Sequence, residues 1–166
     1  MAEIAQGLKL LADFNVDCVV VGGVAAGARG SSQVTLKFDV CYARDPSNLF
    51  RMAQALRAVN ATLRGAPKSL PFLRGEETLR RGLNFTFETD IGKIDILGEV
   101  QGVGGYDECL KHSSEVELFG YPCHVLTLEK LIVAKRSAGR AKDLSALPEL
   151  EAILDHDARA KRLKSR

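Results

Sequence analysis

The sequence predicts an α/β (α+β) fold, a mixed β-sheet flanked by helices and closed by a short C-terminal helical segment. Three observations predict it. Apolar strand-like runs alternate with helical patterns in the order α-β-α-β-α-β-β, which gives a sheet covered by helices. The first strand-like run, Val19-Val20-Val21, ends in Gly22-Gly23 and leads into an alanine-rich segment. The next run, Thr35-Leu36-Lys37-Phe38-Asp39-Val40, carries polar residues at alternate positions. Residues two apart on a strand share a face, so Lys37 and Asp39 should look together at whatever the glycine turn holds.

Each element has its own signal. Ile4, Leu8 and Leu11 mark an amphipathic first helix. Asn15 and Asp17 flank the turn into strand 18–21. A short helix follows over 24–29, and Gly30-Ser31-Ser32 breaks it. The second strand is expected over 34–42. Asp45 offers an N-cap and Pro46 a first helical residue. Leu49, Met52, Ala53, Leu56 and Val59 then hold helical period to about Asn60. Residues 63–74, with Gly65, Pro67 and Pro71, read as a long loop near the mouth of the site. Strands 84–88 and 93–97 are joined by the hairpin signal Asp90-Ile91-Gly92. After a glycine-rich loop over 102–105, a last hairpin is expected over 115–118 and 121–125, turning at Gly120. Helices are expected over 128–137, 142–147 and 148–154, with a break at Gly139.

At 166 residues the chain is expected to form one domain over 1–154, long enough to bury a core without staples, followed by a basic tail over 155–166. The tail carries Arg159, Lys161, Arg162, Lys164 and Arg166 and reads as a solvated terminus. A formal net charge of +2 is too small to argue for nucleic-acid binding by itself. Cys18, Cys41, Cys109 and Cys123 have no Cys-x-x-Cys spacing, and His112, His124 and His156 make no zinc-like pattern with them. They are expected to be reduced thiols in a cytoplasmic protein. The first eleven residues lack a continuous apolar core, so no signal peptide is expected, and no apolar run approaches a membrane span.

Three further features suggest chemistry. Gly22 and Gly23 let backbone approach a phosphate closely, although a tight turn without ligand is the commoner use of a glycine pair. Asp95 lies mid-strand between Ile94 and Ile96, where a carboxylate is costly unless a salt bridge or a metal satisfies it. Lys135 falls on the apolar face of its helix with Leu128, Leu131 and Ile132, either snorkelling outward or aimed into the site.

The Gly22-Gly23 turn, the Lys37-Phe38-Asp39 strand and the segment from Leu131 to Leu144, which contains Lys135, Arg140, Lys142 and Asp143, together resemble the nucleotidyltransferase superfamily, the DNA polymerase beta-like fold. The resemblance extends from about Ile4 to Leu154 and is similar to minimal nucleotidyltransferases and AbiEii-type toxins of toxin–antitoxin systems. It implies transfer of a nucleoside monophosphate from an NTP to a hydroxyl on RNA, protein or a small molecule, with Mg²⁺. By the same resemblance, Asp39 and Asp95 would be metal ligands, Gly22-Gly23 the phosphate turn and Lys135 a phosphate contact. Lys142 and Asp143 would lie nearby, Asp143 holding the helix break or a basic partner, or serving only as an N-cap.

The chain departs from that pattern at two places. Relatives usually carry Asp at position 37, and many carry Arg at position 33, where this chain has Lys37 and Gln33. Lys37 can be an introduced change, natural decay, or an ammonium standing in for one metal's charge. An ammonium has one charge and no coordination sites, so it can support nucleotide binding without activating a hydroxyl. Binding with little turnover is therefore expected. The alternative is a non-catalytic nucleotide-binding or protein-interaction component of a toxin–antitoxin-like system, with an antitoxin-like partner.

Overall fold

The computed structural model describes residues 2–67 and 75–166. The chain runs α1 (Ala2–Asp13), β1 (Cys18–Val21), α2 (Gly22–Ala28), β2 (Lys37–Tyr42), α3 (Pro46–Ala58), β3 (Thr62–Leu63), α4 (Gly75–Arg81), β4 (Asn84–Thr89), β5 (Gly92–Leu97), β6 (Glu99–Val100), β7 (Gly104–Gly105), α5 (Tyr106–Lys111), β8 (Ser113–Leu118), β9 (Tyr121–Leu126), α6 (Leu128–Ala138) and α7 (Ala141–Lys164). Seven strands form one sheet in the order β3-β4-β5-β2-β1-β9-β8, and β6 with β7 makes a small separate ribbon. The sheet is mixed: β1 runs antiparallel to β2 but parallel to β9, and β2 runs parallel to β5.

The centre of the sheet is its most apolar part. Val19, Val20, Val21, Val40 and Cys41 on β1 and β2 are buried, as are Ile94 and Ile96 on β5. Burial of such side chains supplies the main drive for the fold. On β2 burial alternates from Lys37 to Val40 and is complete at Cys41 and Tyr42. Phe38, Val40 and Tyr42 share one face, where the ring of Phe38 packs against Gly7 of α1. Lys37 and Asp39 point the other way. Asp45 caps α3 by accepting from the Asn48 N–H at 3.1 Å, with Pro46 beginning the helix. Buried Asn48 donates to the carbonyls of Asp17 and Ala43 and accepts from the Asp17 N–H, which fixes the entry to β1 against the exit from β2.

Several boundaries differ from the sequence expectation. The second strand begins at Lys37 rather than at residue 34. Its partners explain this: β1 pairs only as far as Asp39 and β5 begins pairing at Lys37, so residues 34–36 have no ladder to join. Val34 and Leu36 are accordingly 84% and 68% exposed. The two helices expected over 142–147 and 148–154 are one helix, α7, with Pro148 inside it, and residues 155–164 extend it. Pro148 and Leu144 both lie on its exposed face, where water can satisfy the Leu144 carbonyl that loses its usual N–H partner. The helices α4 and α5 and the β6–β7 ribbon went unforeseen because each is short and weakly periodic. Of the expected loop over 63–74, residues 68–74 lie outside the described residues, and its start belongs to β3. All four cysteines are free thiols. Among the described residues no helix is long and apolar enough to cross a membrane.

Candidate functional site

A cleft of about 650 Å³ opens where the β2–β5 face of the sheet meets α2, α6 and the start of α7. Gly22, Gly23, Lys37, Asp39, Asp95 and Lys135 all line it. The topology assembles them. The parallel pairing of β2 with β5 sets Asp39 directly beside Asp95 and Lys37 beside Lys93. Residues opposite one another in a ladder present their side chains to the same face, so residues 56 positions apart in sequence become neighbours by register alone.

The glycine turn has a reason inside the chain. Gly22 and Gly23 are themselves the first residues of α2 rather than a linker before it. Gly22 has φ +66, and a Cβ there would sit 2.3 Å from the Asp39 Oδ2 atom. At Gly23 a Cβ would sit 2.8 Å from the Thr35 Cβ. The double glycine therefore admits the carboxylate of Asp39 and the side chain of Thr35 against the backbone of the turn. The close approach expected of a phosphate is made here by the chain's own side chains.

Lys37 lies between the two carboxylates. Its Nζ donates to Asp95 Oδ2 at 2.8 Å and stands 3.6 Å from Asp39 Oδ1. Burial alone would lower the Lys37 pKa, but the Asp95 hydrogen bond and the charges of Asp39 and Asp95 outweigh it, and the net shift is upward. The ammonium stays charged. A second cation closes on Asp95 from the other side. Arg64, just beyond β3, donates from Nη2 to Asp95 Oδ1 at 3.0 Å and to the Phe87 carbonyl at 3.0 Å. Its Nε lies 3.5 Å from Glu88. Both oxygens of Asp95 are thus engaged by cations. Asp39 differs: its Oδ1 is buried with no hydrogen-bond partner. Burial pushes its carboxyl up to about 6, against the opposing pull of Lys37 and with a further upward push from Asp95.

The helical wall carries the positive charge. Asp143, buried near the start of α7, accepts from Arg140 Nε at 2.6 Å and from Arg140 Nη2 at 3.3 Å. Lys135 Nζ lies 3.8 Å from its Oδ1. Burial raises the Asp143 pKa, and the Arg140 hydrogen bonds with the Arg140 and Lys135 charges overcome that, for a net lowering. The N-cap of α7 is Arg140, so Asp143 is the partner of basic groups and not the cap. Gly139, in the left-handed conformation with φ +66, ends α6 and turns the chain so that Lys135, Arg140 and Lys142 all reach the cleft. Asp39 feels the Lys142 charge across the opening.

These residues do not fit a divalent-metal centre as they stand. Mg²⁺ needs several oxygen ligands in near-octahedral order. Among the described residues no three acidic, histidine or cysteine side chains come together to supply them. One of the two carboxylates is already held by two cations, and the Lys37 ammonium stands between the pair. A divalent ion about 4 Å from that ammonium would meet roughly 8 kcal/mol of repulsion at an effective dielectric near 20.

Sequence reasoning placed Asp39, Asp95, Lys37, Gly22, Gly23 and Lys135 around one site, and the structure brings all six to one cleft. It overlooked Arg64 and gave Arg140 no role. The signal for Arg140 was present in the segment from Leu131 to Leu144. Arg64 had none, because it sits at the head of a stretch whose composition says loop.

The sequence matches no protein-family model and no curated protein. Solved structures match in fold. The lincomycin-bound lincosamide antibiotic adenylyltransferase LnuA is 14% identical over 91% of this chain and 96% of its own, with a TM-score of 0.59. The antibiotic-resistance factor ANT(2'')-Ia is 13% identical over 98% and 94%, with a TM-score of 0.54. A candidate nucleotidyltransferase from Thermotoga maritima is 16% identical over 97% and 90%, with a TM-score of 0.50. Identities this low speak for the fold alone, and on that ground, with the mixed sheet and its flanking helices, the chain has the nucleotidyltransferase fold.

Proposed function

We propose that this chain binds a nucleoside triphosphate in the cleft and that its inherited reaction, transfer of a nucleoside monophosphate to a hydroxyl acceptor, is silenced or strongly slowed by Lys37. The observation that carries this reading is the Lys37 ammonium at 2.8 Å from Asp95 and 3.6 Å from Asp39, in a cleft whose facing wall presents Lys135, Arg140 and Lys142. The basic wall suits a polyanion. The phosphates would lie between Gly22-Gly23 and Lys135. Without Mg²⁺ held by Asp39 and Asp95, no group at the sheet lowers the pKa of an attacking hydroxyl. Asn84, Glu99 and Gln101, which also line the cleft, offer hydrogen bonds to a hydroxyl-bearing acceptor. A small molecule is supported there by the antibiotic-modifying neighbour LnuA, while RNA and protein remain in the range the sequence resemblance implies.

A purely binding role, such as a non-catalytic component of a toxin–antitoxin-like pair, draws on the same Lys37 contact; no residue of the cleft identifies its partner.

Titration with each of the four NTPs, followed by incubation with labelled NTP, Mg²⁺ and whole lysate, tests the reading. Saturable binding with no labelled acceptor is expected. Failure of the folded protein to bind any NTP overturns it, and efficient labelling of an acceptor overturns the silencing by Lys37.

A further inference from the structure

We infer that Lys37 and Arg64 together form a fixed two-cation lock on Asp95, and that the cleft therefore takes the phosphate chain of its ligand free of divalent metal. This rests on the nucleotide-binding reading above and deepens it by naming the form of the ligand.

The lock has two halves that arrive independently. Lys37 comes from the second strand of the sheet and takes Asp95 Oδ2 at 2.8 Å. Arg64 comes from beside the edge strand β3 and takes Asp95 Oδ1 at 3.0 Å. Arg64 is also tied to the backbone, through the Phe87 carbonyl at 3.0 Å and through its own N–H, which donates to the Thr86 carbonyl at 2.9 Å. It is built into the β3–β4 pairing rather than swung in from solvent.

Two consequences follow. First, the cation that a triphosphate needs beside the sheet is already present and covalently tethered. A magnesium-bound triphosphate brings two further positive charges to a place held by Lys37, whereas the metal-free polyanion meets Lys37 on one side and Lys135, Arg140 and Lys142 on the other. Secondly, restoring a carboxylate at position 37 does not by itself free Asp95, because Arg64 still holds one of its oxygens. A metal site needs both halves of the lock removed.

Calorimetric titration with inorganic tripolyphosphate and with each NTP, in EDTA and in excess Mg²⁺, tests this. For the unaltered protein, affinity in EDTA is expected to equal or exceed that in Mg²⁺. The Lys37→Asp variant is expected to show no gain from Mg²⁺ larger than about threefold, whereas Lys37→Asp with Arg64→Gln is expected to gain at least about tenfold. Mg²⁺ strengthening the unaltered protein's binding by about tenfold or more overturns the inference while leaving the nucleotide-binding reading intact. A full gain of Mg²⁺ dependence in Lys37→Asp alone overturns the part assigned to Arg64. Absence of binding in both conditions overturns both readings. Should the double variant fail to fold, the EDTA and Mg²⁺ titrations of the unaltered protein decide.

Discussion

Two buried carboxylates line the cleft, and each is held by two cations. Asp95 on the sheet has Lys37 and Arg64; Asp143 on α7 has Arg140 and Lys135. The difference lies in which partner is presented to a ligand. On the helical wall the carboxylate positions the cations. Arg140 is 62% exposed while Asp143 is 5% exposed, so charge faces outward where an anion can meet it. On the sheet wall the cations consume the carboxylate. Lys37 and Arg64 are each about one-third exposed or less, and Asp95, like Asp143, has both oxygens engaged. On the proposed reading, the helical constellation offers charge to an anion and the sheet constellation withholds Asp95 from a metal. In both the carboxylate is the more buried member, and the two differ in how far a cation reaches towards solvent, 62% exposed for Arg140 against 32% and 28% for Lys37 and Arg64.

The largest effect that can break this comparison is the loss of Asp95. Asp95→Ala leaves Lys37 to the longer contact with Asp39 at 3.6 Å and Arg64 to that with Glu88 at 3.5 Å, two part-buried like charges without the carboxylate that joined them, and is expected to destabilise the fold by about 3 kcal/mol, read in urea or by thermal unfolding. Asp143→Ala leaves Arg140 free to swing into water and is expected to cost less. Equal losses in the two variants would mean that the walls do not differ as described.

A second test sharpens the helical side. Lys135→Ala is expected to weaken NTP binding by at least about tenfold, the scale of one charge-assisted contact, with little change in apo stability. A large stability loss at unchanged affinity would instead make Lys135 a structural partner of Asp143.

The smallest effect concerns Asp39, the carboxylate that belongs to neither lock. Its pKa of about 6 in the fold is above the ordinary aspartate value. Between those two values the folded state holds a proton that the unfolded chain has released, so stability contributed at low pH is lost as pH rises towards 6 and the penalty is complete above it. Asp39→Asn removes the ionisation. The variant is expected to match the parent near pH 4 and to exceed it at pH 7, measured as the midpoint of urea unfolding at both values. A variant less stable than the parent at pH 7 would show that the Lys37 charge outweighs the cost of burying Asp39.

Much of this was written locally. The 18–21 strand, the Asp45 cap on α3, the hairpin at Gly92 and the helix stop at Gly139 each follow from a few adjacent residues, because turn chemistry and short-range periodicity act over one or two turns of chain. The period of two on β2 also fixed that Lys37 and Asp39 share a face, and the spacing from Lys135 to Asp143 hinted at the basic wall. Register and edge pairing decided the rest. Only the alignment of β2 with β5 sets Asp39 beside Asp95, and only the docking of β3 on β4 carries Arg64 to Asp95, 31 residues away. The same pairing left residues 34–36 outside the sheet. Sequence by itself determined which side chains each element offers, since that depends on local geometry; the tertiary structure determined which carboxylates they neutralise, since an ion pair depends on distance in space and the ladders that set that distance join segments far apart in the chain.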